Sequence, residues 1–263
     1  MSYTVFQSTQ PNADYVLLSS GLGGHGQFWA PQIAALQSYF HVVIYDQEGC
    51  HHDSALLPPD YSVQHLAQQV AALLTELNIE KLHFIGHALG GHIGFALATL
   101  AQQHDFKLLS LSAINAWGEL SPHTKKCFQA RIALLQHAGC EAYVRAQALF
   151  LYPPAYIAQH SEHITAAENK QLQDFPPIAN VMARLHAVQQ FSLSSEMIEA
   201  LNDVPVYLIA NSDDFLVPVE QSKQLAKQIP HAEYFEFAAG AHASTITETA
   251  AINTQLIACL TSK

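Results

Sequence analysis

Short apolar runs alternate along the chain with longer segments in which apolar residues recur every three or four positions. The short runs are typical of strands buried on both faces, and the longer segments are typical of amphipathic helices. Because strands that alternate with helices usually form a parallel sheet, this pattern predicts an α/β fold. The predicted strands are residues 15–19, 41–45, 82–85, 108–114, 204–210 and 233–237.

The strand pattern is interrupted between Trp117 and about Ser195, where only helical periodicity remains. This interruption predicts that a helical cap, residues 117–195, is inserted into a core domain formed by residues 1–116 and 196–263. The predicted helices are residues 31–39, 64–77, 91–103, 124–137, 141–149 and 247–260.

The turn after the third predicted strand reads GHALGG, from Gly86 to Gly91. A strand, the pattern G-x-nucleophile-x-G and a helix together resemble the nucleophile elbow of α/β-hydrolases. The glycines are needed because so tight a turn strains its central residue and leaves no room for neighbouring side chains. The central residue of this turn is Ala88, whose methyl group cannot act as a nucleophile.

Two acidic residues and a histidine follow later strands in the order that α/β-hydrolases use, which is nucleophile, acid, histidine. Asp213 and Asp214 follow the fifth predicted strand, and His242 follows the sixth. The spacing to Pro218 indicates that Asp214 is the acid that orients His242. Asp213 is then expected to support the loop.

A glycine-rich turn follows the first predicted strand, where hydrolases of this fold place one backbone donor of the oxyanion hole. We therefore expect the N–H groups of Leu22 and Leu89 to polarise a substrate oxygen. His25 follows this turn, and Asn115 and Trp117 end a central strand. Since α/β proteins bind ligands at that edge of the sheet, these three residues are candidates to line a substrate pocket.

From end to end, the chain resembles an α/β-hydrolase with a mostly parallel sheet and a helical cap. More narrowly, it resembles the aminoacrylate or carbamate hydrolases of the bacterial pyrimidine-utilisation pathway, which degrades uracil. The matching segments are residues 20–32, 45–47, 86–91, 115–117, 122–131, 146–153 and 213–218. In that family alanine is the usual residue at the elbow, so the resemblance implies that Ala88 is native. The chain departs from related hydrolases at Glu48, where arginine is usual, so the shape of the loop 48–54 is not predicted.

Without a serine, the remaining residues support attack by water instead of formation of an acyl-enzyme. His242, oriented by Asp214, would act as the general base on a water molecule beside Ala88. The oxyanion hole and binding supply roughly 10³–10⁴-fold acceleration, and a general base adds about 10²–10⁴-fold. This suits a labile substrate such as carbamate or 3-aminoacrylate, between which the sequence does not decide. The expected activity is a cofactor-free hydrolysis of a C–N bond.

Two other interpretations of Ala88 stay open. In the first, the chain is a serine hydrolase for esters or C–C bonds whose serine has been replaced. In the second, it is a non-catalytic ligand-binding protein on a hydrolase scaffold.

Among the side chains near these motifs, His87 is expected to pack against the elbow. Arg131 and Arg145 are expected to form ion pairs at the surface of the cap.

The charge and composition of the chain limit the classes of partner that it is expected to bind. Lys and Arg number 11 against 22 Asp and Glu, a net charge of −11, which disfavours binding to nucleic acids and to anionic membranes. The expected partner is a small-molecule substrate, and the oligomeric state stays open. The stretch 82–100 is too polar to span a membrane, and the N-terminal residues lack the basic start and apolar run of a signal peptide. The expected location is therefore the cytoplasm.

Sixteen histidines and four cysteines raise the question of metal binding. The cysteines are widely spaced and form no CxxC pair, which favours reduced thiols over a zinc knuckle or a disulfide framework. His51, His52 and Asp53 follow Cys50, but adjacent histidines on a loop rarely converge on one ion, and no partner pair has ligand spacing. No metal site and no cofactor are therefore expected.

Overall fold

The computed structural model describes residues 2–262. Met1 and Lys263, the first and last residues of the predicted core domain, lie outside the described residues. The strands are β1 Tyr3–Phe6, β2 Tyr15–Ser19, β3 His41–Tyr45, β4 Lys81–His87, β5 Lys107–Ile114, β6 Val206–Asn211 and β7 Glu233–Phe237. These seven strands form one sheet in the order β1-β3-β2-β4-β5-β6-β7. β1 runs antiparallel to β3, and every other neighbouring pair is parallel.

Helices connect the parallel strands, as a parallel sheet requires. They are α1 Ala30–Gln37, α2 Val63–Glu76, α3 Leu89–Ala98, α4 Pro122–Leu151, α5 Pro154–Gln159, α6 Ser161–Gln173, α7 Ile178–Gln190, α8 Ser195–Ala200, α9 Val219–Gln228, α10 Ser244–Thr247 and α11 Thr249–Thr261, with a 3₁₀ turn at Gly26–Trp29. None of the helices within residues 2–262 is both long and apolar enough to cross a membrane.

The sheet is covered on both faces, because neighbouring residues of a strand point to opposite sides. Along β2, Leu17 joins an apolar cluster with residues of α2 and α3, whereas Val16 and Leu18 join a second cluster with residues of α1 and α11. Burial on both faces explains why the strands read as unbroken apolar runs instead of alternating ones.

The predicted α/β-hydrolase architecture is confirmed, but local elements differ from the prediction, among them helices α5–α8 and α10, for which the sequence pattern gave no bounds. The sequence pattern missed β1, a four-residue edge strand whose residues are exposed or half-buried. It also missed α9, whose sequence VEQSKQLAKQ is mostly polar. Finally, α3 begins at Leu89 and not at Gly91, because helical geometry starts directly after the apex of the elbow.

The segment between β5 and β6 contains α4–α8, and residues 115–205, all of which are described, include no strand. Its first helix, α4, is interrupted at Gly139, where φ 86° and ψ 178° leave the helical region. This interruption lies between the two helices predicted at 124–137 and 141–149.

The inserted helices pack against the core. α4 contacts α6 and α7, and Phe128 of α4 and Leu185 of α7 belong to the same apolar cluster as Leu17 of the sheet. Because the inserted helices and the sheet share one apolar cluster, packing does not mark where the cap begins and ends. The predicted boundaries of the cap at residues 117 and 195 therefore stay a prediction.

Candidate active site

The turn between β4 and α3 forms a tight elbow with Ala88 at its apex. Ala88 has φ 48° and ψ −109°, a conformation that is strained for any residue with a side chain. A Cβ atom on Gly86 would lie 2.2 Å from the carbonyl group of Gly90, and one on Gly90 would lie 2.0 Å from the carbonyl oxygen of Ser19. Close backbone approach therefore requires glycine at both positions.

His242 and Asp214 are hydrogen-bonded to each other. The Nδ1 atom of His242 lies 2.7 Å from Oδ2 of Asp214, and both residues are buried. The other carboxylate oxygen of Asp214 accepts hydrogen bonds from the backbone N–H groups of Leu216 and Val217, each at 2.9 Å. The fixed carboxylate favours the tautomer of His242 with its proton on Nδ1 and a lone pair on Nε2.

Asp213 lies against the loop that carries His242. Its carboxylate accepts hydrogen bonds from the N–H groups of Gly240 at 3.1 Å and Ala241 at 2.8 Å. Gly240 and Ala241 both have positive φ angles, 121° and 51°. The carboxylate thus stabilises a strained turn immediately before His242, which is the supporting position expected of Asp213.

Two side chains hold the backbone carbonyl of His242. His87 donates from Nε2 at 2.7 Å, and Asn115 donates from Nδ2 at 2.9 Å. Burial and the neighbouring His242 lower the pKa of His87 to about 3. His87 therefore stays neutral near pH 7 and keeps one ring proton, so it anchors the His242 loop as well as packing against the elbow.

A cavity of about 430 Å³ lies beside this histidine. Its lining includes Leu22, Ala88, Leu89 and His242, so the elbow and the predicted oxyanion donors belong to the same space. The backbone N–H groups of Leu22 and Leu89 have no acceptor among residues 2–262, which leaves them available to a ligand oxygen. Arg184 holds the carbonyl of Leu22 by a hydrogen bond of 3.0 Å from Nη2.

Two of the three candidate lining residues, His25 and Trp117, line this cavity. Asn115 is not among its lining residues, so the expectation for that side chain is wrong. The backbone turns at Asn115 with φ 52°, and the amide donates instead to the backbone carbonyls of Ala241 and His242. Asn115 thus contacts the loop of His242.

The inserted helices add polar side chains that the sequence interpretation missed. Arg131 and Gln147 of α4 line the cavity. Arg131 is only 5% exposed, so the prediction of a surface ion pair is wrong for this residue. The helical spacing contains the missing signal, because Arg131 lies three residues after Phe128 and four before Leu135 on the buried face of α4.

Arg145, on the same helix, does form the expected surface ion pairs. Its guanidinium lies 2.9 Å from the carboxylate of Glu141 and 3.1 Å from that of Glu168. Of the two arginines of α4, Arg131 is therefore buried at the cavity and Arg145 forms ion pairs at the surface.

The loop after β3 brings together groups that could hold a metal ion. The ligand atoms of His25, Cys50 and His51 lie within 4.8 Å of one another, because the fold supplies His25 as a partner that spacing did not reveal. Both ring nitrogens of His51 are already hydrogen-bonded, to Asp46 at 3.0 Å and to Asp174 at 2.7 Å. Burial raises the pKa of the Cys50 thiol to about 12, whereas metal ions bind the thiolate. The cluster fits a hydrogen-bonded link better than a metal site.

Comparison with known proteins identifies the family of this chain. A family model described as alpha/beta hydrolase fold matches residues 14–136. The chain is 53% identical to a protein of Acinetobacter baylyi named "Putative carbamate hydrolase RutD", over 96% of this chain and 95% of that relative. Proteins of the same name from Pseudomonas syringae and Agrobacterium fabrum are 44% and 39% identical, over 90% and 98% of this chain and 90% and 97% of theirs. The chain belongs to the RutD family of α/β-hydrolases.

Solved structures share the fold of this RutD-family chain. The enol-lactonase of Burkholderia xenovorans matches with a TM-score of 0.86 and 24% identity, covering 99% of this chain and 96% of that one. A thermophilic esterase of Thermogutta terrifontis matches with a TM-score of 0.81 and 19% identity, covering 98% and 92%. At these identities the likeness shows the fold alone. The resemblance inferred from the motifs is confirmed, and the RutD-family chain is a hydrolase.

Proposed function

We propose that this protein hydrolyses the C–N bond of a small, labile substrate, carbamate or 3-aminoacrylate, in pyrimidine degradation. The name carbamate hydrolase, which its relatives bear, supports the substrate class. The observation that carries the mechanism is the 2.7 Å hydrogen bond between His242 and Asp214, at a cavity that Ala88 also lines. The cavity therefore has an oriented base beside an elbow that offers no nucleophile.

In the proposed reaction, His242 is the general base for a water molecule beside the methyl group of Ala88. Nε2 takes a proton from the water, and Asp214 stabilises the imidazolium that forms. The N–H groups of Leu22 and Leu89 stabilise negative charge on an oxygen of the substrate or on the oxygen that the attacking water supplies.

The two candidate substrates give balanced reactions at such a site. With carbamate, the water oxygen bonds to the carbon, the C–N bond breaks and the proton passes from His242 to the departing nitrogen, which gives bicarbonate and ammonia. With 3-aminoacrylate, C2 gains a proton from the solvent, and the water oxygen bonds to C3 while His242 takes its proton. His242 returns that proton to the nitrogen, the C3–N bond breaks and the new hydroxyl loses its proton to the solvent, which gives 3-oxopropanoate and ammonia. Neither reaction needs an oxidant, a reductant or a second substrate besides water.

The acceleration that such a site supplies suits these substrates. An oxyanion hole with binding contributes roughly 10³–10⁴-fold, and a general base contributes about 10²–10⁴-fold. Enzyme accelerations run from about 10⁶-fold to about 10¹⁷-fold, so the acceleration from such a site lies at the lower end of that range. Carbamate and 3-aminoacrylate decompose spontaneously, so an acceleration at the lower end is sufficient.

Release of ammonia from each substrate by the purified protein tests the proposal. We expect His242→Ala to lower the rate by about 10²–10⁴-fold. His163→Gln, which changes an exposed histidine of α6, should keep the full rate. Equal rates for the wild type and His242→Ala with both substrates would overturn the proposal in favour of ligand binding without catalysis. A serine codon at position 88 of the natural gene would instead support the serine-hydrolase interpretation.

A further inference from the structure

Three buried N–H donors at the cavity lack an acceptor. They are Nε1 of Trp117, Nε of Arg131 and Nε2 of Gln147, none of which has a hydrogen-bond partner among residues 2–262. All three residues line the 430 Å³ cavity that Ala88 and His242 also line. Because a buried donor without an acceptor is costly, three at one cavity indicate a ligand that brings acceptor oxygens.

Arg131 is the charged member of this group. No carboxylate lies within ion-pair distance of its guanidinium in the described chain. Nη2 donates to the hydroxyl of Tyr143 at 3.1 Å, and the guanidinium carbon lies 5.3–6.0 Å from the ring centroids of Phe128, Tyr143 and Phe150. Aromatic faces compensate part of the cost of burying a cation, but they do not replace a counter-ion.

The acidic residues of the cavity do not supply that counter-ion. Asp174 lines the cavity, and Asp214 contacts His242, which lines it, but both carboxylates are bound to histidines, Asp174 to His51 and His52, and Asp214 to His242. The chain as a whole has 22 acidic residues and only 11 Lys and Arg. A shortage of acidic residues therefore does not explain why Arg131 has no ion-pair partner.

We propose that Arg131, Gln147 and Trp117 form a subsite for the carboxylate of the substrate. Guanidinium and amide N–H groups match the oxygens of a carboxylate, and a charge-assisted hydrogen bond is roughly twice as strong as a neutral one. This inference rests on the proposed function, because it takes His242 as the hydrolytic end of the same cavity. Arg131 is then a specificity-determining residue on the inserted helices, separate from the reacting atoms.

The subsite distinguishes between the two candidate substrates. In carbamate the carboxylate carbon is itself the reacting carbon, so a carbamate held at the subsite by its oxygens has no separate reacting end. In 3-aminoacrylate the carboxylate is C1 and the C–N bond is at C3, so one end can be held while the other reacts. The structure therefore favours an acid whose carboxylate is separate from its C–N carbon, the class of 3-aminoacrylate.

Binding of two unreactive probes tests the subsite independently of catalysis. Acrylate and acrylamide have nearly the same shape, but only acrylate is charged. By titration calorimetry we expect the wild type to bind acrylate more tightly than acrylamide, and Arg131→Met to weaken acrylate binding by about 10–100-fold. Arg145→Met removes the same charge from the exposed face of the same helix and should not change the affinity. Equal affinity of the wild type and Arg131→Met for acrylate would overturn the subsite.

Kinetics and stability separate this proposal from the proposed function. Arg131→Met should raise KM for 3-aminoacrylate about 10–100-fold, whereas His242→Ala should lower the rate of ammonia release about 10²–10⁴-fold and leave acrylate binding intact. The unliganded Arg131→Met variant should unfold at the same temperature as the wild type or higher, because an unpaired buried charge is removed.

Trp117→Phe, which removes one N–H and keeps the ring, should weaken acrylate binding about 3–10-fold. Wild-type acrylate affinity in Trp117→Phe would exclude Trp117 from the subsite.

Discussion

The Nε2 atom of His87 lies 2.7 Å from the backbone carbonyl oxygen of His242 and donates a hydrogen bond to it. The two rings also meet edge to face, with 4.7 Å between their centroids. Asn115 donates to the same carbonyl at 2.9 Å, so two side chains besides Asp214 fix the position of His242. Supporting contacts of this kind hold a functional side chain in one geometry.

His87→Phe should therefore lower activity without altering the chemistry. The variant keeps an aromatic ring but loses the donor, and we expect kcat for ammonia release to fall about 10–100-fold because His242 is less well positioned. His87→Gln can still donate and should recover much of the loss. Because the pKa of His87 is about 3, the acid limb of the pH profile should keep the same midpoint in all three proteins. A shifted midpoint in either variant would contradict a purely positioning role.

Asp214→Asn should lower kcat about 10³–10⁴-fold while the protein stays folded. An amide no longer favours the tautomer of His242 with its lone pair on Nε2, and it does not stabilise the imidazolium. Steady-state ammonia release measures the effect. Asp53→Asn, an exposed change of the same kind, is the matched control and should leave kcat unaltered. Full activity in Asp214→Asn would remove the aspartate from the mechanism.

Ala88→Ser should convert the site into one that forms a covalent intermediate. The new hydroxyl would stand at the apex of the elbow, in the cavity that His242, Leu22 and Leu89 line. We expect the variant to be labelled by a fluorophosphonate, seen as a mass increase, and to release p-nitrophenol from p-nitrophenyl acetate with a burst. The wild type and the double variant with His242→Ala should remain unlabelled. A folded Ala88→Ser protein that resists labelling would show that Nε2 does not reach position 88.

The residues that the sequence predicts best are those at strand ends. Ala88 follows β4 directly, Asp214 and His242 lie in the loops after β6 and β7, and the carboxyl ends of parallel strands meet at one edge of the sheet. Their proximity therefore follows from chain order alone. Asn115 shows the limit of this reasoning, because its position at the end of β5 is correct but its positive φ turns the side chain towards the loop of His242.

Residues on the inserted helices are harder to predict, because their neighbours are set by how helices pack. Periodicity places Arg131 on the buried face of α4, but not which part of the molecule that face covers. Gln147 lies beyond the kink at Gly139 and lines the same cavity, and helical periodicity does not continue across that interruption. The catalytic motif could thus be predicted from the sequence, whereas the proposed carboxylate subsite could not.

Gly90→Ala should destabilise the protein strongly. The added Cβ would lie 2.0 Å from the carbonyl oxygen of Ser19, which belongs to β2 and cannot move without breaking the sheet. Overpacking of this kind costs about 3 kcal/mol or more, which corresponds to a fall in Tm of roughly 6–12 °C. Gly23→Ala is the matched control, since nothing lies within 4 Å of its Cβ position, and its Tm should stay within about 2 °C. Equal melting temperatures for the two variants would contradict the close approach at the elbow.

His51 links the loop after β3 to the end of α6 by hydrogen bonds whose strength depends on pH. Its two ring nitrogens bind Asp46 and Asp174, and Asp174 also accepts from the ring and backbone of His52. Burial lowers the pKa of His51, but the hydrogen bonds to Asp174 and Asp46 outweigh it and raise the pKa above its ordinary value. Burial raises the pKa of Asp174, but the hydrogen bonds from His52 and His51 outweigh it and lower the pKa.

These directions fix the pH range in which the link acts. A raised pKa of His51 in the folded state means that its contribution is complete below about pH 6.5 and is lost as the pH rises through the raised value. The contribution of Asp174 is complete above about pH 3.9 and is lost only in strong acid. The pair is half-exposed and screened by solvent, so we discount it to about 0.5 kcal/mol, or about 1–2 °C in Tm. Between pH 6 and pH 9 the Tm of the wild type should therefore fall by that amount relative to His51→Gln, and His163→Gln should follow the wild type. Parallel curves for the wild type and His51→Gln would show that the link does not titrate in this range.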